Sequence, residues 1–345
     1  MDIESHNESS NESRYELRNT DSENISEYSG IESELPYSPR ALQGLVYGPP
    51  PPRRRALVVA LSLFAMTVFT TLAVGAQMAF DYAQDAAPYT RGFSPFADLM
   101  HSPRMLLEGI PFSFTLLGIL LAHELGHFFA CRYYGIAASY PYFIPAPTLI
   151  GTMGAFIRIR SPIVNRKALF DVALAGPVVG FIFALPALAI AVHYSKIIPG
   201  IQSEAVISFG NPLLVDLFTR WLRPGVAPGD LLLDPVGRAA WVGLFCTAMN
   251  LLPMGQLDGG HLLYTLSSKL HKPVTLCTSI ALLALSRFFW VGWAVWAILP
   301  LLLGFRHPTL LDRWEPLDRK RRLWALLALA IFLLCFMPQP FTIHE

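Results

Sequence analysis

The stretch LLGILLAHELGHFFACRYYG, residues 116–135, limits most tightly what this chain can become. It is apolar over most of a membrane-spanning length, yet it carries His123, Glu124 and His127. Ionisable side chains inside a membrane helix are costly and mark a functional site by default. Two histidines four residues apart lie on one helix face, one turn above each other. Both imidazoles can therefore reach one metal ion, and the glutamate beside the first can act as a base on water. The structural alternative is a pair of helix histidines hydrogen-bonded to their neighbours, with Glu124 in an ion pair.

Two ligands do not complete a catalytic zinc site, which takes three from the protein plus water. No histidine follows His127 at the spacing that would extend the motif, and the next apolar segment holds no glutamate. The best third ligand is distant. Asp258 lies in NLLPMGQLDGGHLLY, residues 250–264, among Pro253, Gly255, Gly259 and Gly260. His261, three residues on, shares a face with Asp258 if the stretch is helical, and is read as supporting a ligand rather than being one. Cys131 is read as a buried small apolar residue rather than a ligand.

HELGH in one apolar segment, N-x-x-P-x-x-x-L-D-G in a later one and GTMGAF between them resemble the site-2 protease family of intramembrane zinc metalloproteases. The resemblance covers about residues 105–265. It implies one Zn²⁺ per chain held by His123, His127 and Asp258, with Glu124 as the catalytic base. It also implies that Asn250 lies near the reacting carbonyl.

Composition agrees with a membrane setting. The chain of 345 residues is 53% hydrophobic and 15% charged, against about 25% charged in ordinary soluble domains. The expected fold is an all-α polytopic membrane protein of about six to seven transmembrane helices, with a small β strand or hairpin near the site. A net charge of +1 and the lack of a basic–aromatic surface pattern give no sign of a nucleic-acid partner. Four cysteines without a CxxC pair exclude a disulfide framework.

Residues 1–55 read as a disordered acidic tail that ends in a Pro/Arg linker, and residues 56–345 as the membrane domain. Arg53–Arg55 before the first span put the N-terminus in the cytoplasm by the positive-inside rule. Spans are expected at about 56–79, 105–132, 171–194 and 236–252. A hairpin of two short helices is expected over 274–304, and a last run at 323–337. A bacterial inner membrane is the default location, with an organelle membrane as the alternative. Proline punctuation around GTMGAFIRIR predicts a strand or hairpin with an open edge at Gly151–Arg160.

The function these features imply is hydrolysis of peptide bonds in or near transmembrane segments of other membrane proteins, within the lipid bilayer. A metal-ion transporter and an inactive membrane scaffold are the competing classes. The water-activating placement of Glu124, and the absence of repeated halves, argue against transport.

Overall fold

The computed structural model describes residues 54–90, 92–93, 95, 103–163, 165–201, 207–303 and 316–343. The expected acidic tail and linker therefore lie outside the described residues, apart from Arg54 and Arg55.

Among the described residues three helices are long and apolar enough to cross a membrane, and the chain is a membrane protein. The first, α1, is Arg54–Ala83. The second, α2, is Ile110–Tyr133 and extends a 3₁₀ turn at Pro103–Gly109. The third, α3, is Arg166–Tyr194. It begins five residues before the expected Asp171, because the Asn165 side chain accepts from the Ala168 N–H at 2.8 Å and caps the helix. Shorter helices follow: α4 at Leu213–Leu222, α5 at Pro235–Asn250, α6 at Asp258–Leu266, α7 at Ser268–Phe288, α8 at Gly292–Leu303 and α9 at Arg319–Cys335. A break between α7 and α8 falls within the 274–304 stretch where a hairpin is expected, but α7 begins six residues before that stretch and is 21 residues long.

The helix that carries His123 stops for a readable reason. Gly135 adopts φ +68°. Its N–H donates to Arg132 O and that of Ile136 to Cys131 O. This is the Schellman pattern, and Ile136 and Cys131 pack in one cluster beneath it.

The protein is not purely helical. Strands β1, Tyr142–Pro145, and β2, Thr152–Phe156, form an antiparallel hairpin; β2 lies within the Gly151–Arg160 stretch expected to be extended, whereas its partner β1 lies upstream of that stretch. Beyond it, Ala138 bridges Ile159. Two further two-stranded sheets were not expected. One pairs β3, Lys196–Ile197, with β5, Leu231–Leu232. The other pairs β4, Ile207–Phe209, with β6, Phe341–Ile343. Such two- and three-residue strands fall below what alternation in a sequence can reveal.

The core lies where α2, α3 and α5 meet, with α2 packed most extensively on α3. Trp241 of α5 is fully buried and donates its indole N–H to Gly210 O at 2.6 Å, so its polar atom is satisfied. At the other end of α2, Arg321 of α9 donates to both carboxylate oxygens of Asp171 at 2.8 and 2.5 Å. The Tyr134 hydroxyl also donates to Asp171. This forked pair ties α9 to α3 and to the end of α2. All four cysteines are free; Cys131 is buried as expected, as is Cys335, while Cys246 is half-buried and Cys277 lies exposed on α7.

The hairpin is fastened to α1. The Thr70 hydroxyl donates to Gly151 O at 2.6 Å, and Tyr89 donates to Leu149 O at 2.5 Å. Gly151 has φ +82°, and a Cβ there would meet Thr70 O at 2.8 Å. Replacing Gly151 with Val should therefore lift the hairpin off α1 while leaving the helices intact. The expected result is severalfold faster protease nicking within 142–160 at unchanged helical circular dichroism. Unchanged nicking would contradict this packing.

Candidate metal centre

Two helices and a helix start build the site. His123, Glu124 and His127 occupy consecutive turns of α2 and are all buried. Asp258 opens α6, where the helix dipole favours a carboxylate. The three ligand atoms converge. His123 Nε2 and His127 Nε2 each lie 3.3 Å from Asp258 Oδ2 and 3.1 Å from one another. Ligands about 2.0–2.1 Å from a tetrahedral ion lie about 3.3 Å from each other. The donor set therefore fits a small tetrahedral cation, and among the described residues it is the one His/Cys/Asp/Glu group of that kind.

The donors are also in the right chemical form. His127 Nδ1 lies 2.7 Å from Val172 O. A carbonyl can only accept, so Nδ1 carries the proton and Nε2 keeps its lone pair for the metal. Sequence reasoning missed this partner, because any residue type can supply a main-chain carbonyl.

The space for the histidines comes from α3. A Cβ on Gly176 would meet His127 Nε2 at 2.1 Å, and one on Gly126 would meet Ala175 O at 2.6 Å. Small residues let the two backbones close until the rings fill the gap. Gly180 in turn faces His123, so both glycines of α3 make room for the two rings.

Asn250, the last residue of α5, brings its side-chain nitrogen within 3.3 Å of His123 Nε2. Between Asn250 and Asp258 the chain reverses through a turn at Gly255. The helix ends three residues before Pro253, where the sequence placed the break. The Gly255 N–H donates to the Thr275 hydroxyl at 3.3 Å, and Gly255 O accepts from His271 at 3.1 Å. His271 is buried. It braces the loop that delivers Asp258. His261 lines the cavity but lies outside the ligand trio, in line with a supporting place.

The hairpin completes the site. Ala155 lines the same cavity as Glu124, and that cavity measures about 600 Å³. The Ile157 backbone N–H is directed at the Glu124 carboxylate. Phe156 is 47% exposed, whereas Ile157 packs inward beside Cys131 and Val172. Opposite faces are what a regular strand gives. Among the described residues β2 pairs only with β1, so its other edge has no strand partner.

Gly176→Ala should displace His127 and lower metal occupancy well below one per chain, weakening binding by about tenfold or more, as loss of a ligand's support does. Gly118→Ala, on the same α2 helix with open space at its Cβ position, should leave it unchanged. Elemental analysis of both purified variants checks this, and equal metal content would contradict the packing argument.

Residues 111–291 match peptidase family M50. A protein of Arabidopsis thaliana named probable zinc metalloprotease EGY1, chloroplastic, is 32% identical over 215 residues, covering 59% of this chain and 38% of that protein. The Arabidopsis EGY2 of the same description is 31% identical over 248 residues, covering 69% and 43%. A rice EGY3 (Oryza sativa subsp. indica) is 25% identical over 249 residues, covering 66% and 42%. The chain thus spans about two fifths of the length of these curated relatives. The match extends over more than half of the chain and contains the two histidines, the glutamate between them and the distant aspartate, and it bears out the resemblance read from the motifs: the chain belongs to peptidase family M50.

Proposed function

We propose that this chain is a zinc endopeptidase that cuts other membrane proteins in or near their transmembrane segments. The observation that carries this reading is the convergence of His123, His127 and Asp258 beside the buried Glu124, in a cavity that the hairpin also lines. Transport of a metal ion would not require a carboxylate base at that position, and a scaffold would not require the ligands.

His123, His127 and Asp258 hold the metal in this reading. When bound, zinc polarises a carbonyl and brings the pKa of water towards 7. Glu124 takes the proton from the attacking water and passes it to the leaving amine. Asn250 directs an amide N–H towards the oxygen that gains charge. The Val172 carbonyl holds His127 in the required tautomer throughout. The free edge of β2 takes the substrate as an added strand. A helical substrate must unwind before it is cut, and its freed N–H and C=O groups need such a partner at membrane depth.

The proposed topology has about six to seven crossings. In it α5, α7 with α8, and α9 join the three long helices, the N-terminus is cytoplasmic and the site lies nearer that face. The sequence defaulted to a bacterial inner membrane. The plant relatives carry the description chloroplastic, which favours an organelle membrane, and we adopt that location. Cysteines placed at the exposed positions of Arg160 and Arg220 should label from opposite sides of sealed vesicles. Labelling of both from one side would overturn this topology.

Glu124→Gln tests the reaction itself. It should retain one zinc per chain and lose activity on a susceptible membrane substrate by about 10²-fold or more, the usual scale for removing a general base. Proteomic comparison of cells carrying wild type and Glu124→Gln should reveal uncut membrane proteins only in the second. Retained cleavage by Glu124→Gln would refute the assigned chemistry.

A further inference from the structure

Two cavities meet at the same four residues. His123, Glu124, Ala155 and Asn250 line both. They differ in character. The larger is bordered by Arg158, Arg160, Ser161 and Gln256. The smaller, about 380 Å³, is walled by Leu149, Phe245, Trp290, Trp296 and Phe341. Its size and apolar, aromatic lining are those of a pocket that takes an apolar group, about 300–1,000 Å³ being usual. The strand joins them, because Thr152–Ala155 border the aromatic-walled cavity while 155–161 border the larger one with the two arginines. A chain laid along β2 past Glu124 would have one end in each.

Resting on the protease reading, we propose that this chain selects substrates whose cut bond lies where an apolar segment gives way to an acidic one. A large apolar side chain fills the aromatic cavity, and carboxylates beyond the bond meet Arg158 and Arg160. Both arginines are exposed, and among the described residues neither forms an ion pair with the protein's own acids. Carboxylates there gain charge-assisted hydrogen bonds, and lysines are repelled. Trp296 and Phe341 lie beyond the 111–291 family match.

The test uses the full chain, zinc-loaded in mild detergent, with three fluorescent peptides. All share an apolar segment of about 20 residues. The first has Phe at the boundary followed by glutamates, the second replaces the glutamates with lysines, and the third replaces Phe with Ala. Binding is measured on Glu124→Gln, which cannot turn over, and cleavage on wild type. The first peptide should bind about tenfold tighter than either other, in the range one side-chain pocket can discriminate. Arg158→Glu with Arg160→Glu should invert the acid–base preference. Cys246→Trp, which fills the apolar cavity, should erase the preference for Phe alone. Trp296→Ala, which widens the cavity from its far wall, should weaken Phe-peptide binding severalfold and guards against a folding defect at position 246. Equal affinities for all three peptides, or variants that leave the order unchanged, overturn the inference. Wild type that cuts all three equally leaves the protease reading standing and removes the preference. Wild type that cuts none, while Glu124→Gln still sorts them, leaves the preference standing and removes the protease reading.

Discussion

The contact between α2 and α3 at Gly126 and Gly176 is the constraint on which the rest depends. Two helices in lipid gain little from burying apolar surface, so their association rests on close packing and on satisfied polar groups. Here both come from one contact. The missing Cβ of Gly176 leaves a hole that the His127 ring fills. That same approach brings Val172 O to His127 Nδ1. The polar cost of a histidine at membrane depth is thereby met by backbone, and the other nitrogen stays free for a ligand role. A larger residue at either glycine would open the helix pair and the metal centre together.

The third corner is held differently. Asp258 belongs to neither long helix and is delivered by a turn between α5 and α6. The turn depends on the Gly255 contacts to Thr275 and His271 of α7. The ligand trio is thus two residues on a rigid helix and one on a braced loop. The hairpin is a fourth partner, fixed to α1 at Gly151 and reaching Glu124 through Ile157. Each long helix therefore contributes to the site: α2 the histidines and Glu124, α3 the space and the carbonyl, α1 the anchor for the strand.

The site residues were legible because their chemistry is unusual in apolar sequence. His123, Glu124, His127 and Asp258 stand out against leucine and alanine, and GTMGAF stood out through its glycines and flanking prolines. What stayed hidden belongs to the backbone or to long-range packing. Val172 contributes a carbonyl, which no side-chain pattern encodes. His271 carries no sequence signal for its partner, and only the fold turns it onto Gly255. The forked pair of Arg321 with Asp171 joins residues 150 positions apart. Helix number was less legible than helix presence. The positive-inside rule argues crossings from charge, whereas α5 and α9 have 16 and 17 residues against the roughly 20 of a full span.

In the proposed centre one metal is held jointly by α2 and the start of α6. X-ray absorption at the zinc edge of the purified chain tests this most directly. The expected spectrum shows only nitrogen and oxygen neighbours at about 2.0–2.2 Å, with the multiple scattering of two imidazoles. The Asp258→Ala protein should lose one oxygen shell while keeping both imidazoles. A sulfur neighbour near 2.3 Å, a single imidazole, or a spectrum unchanged by Asp258→Ala would contradict it.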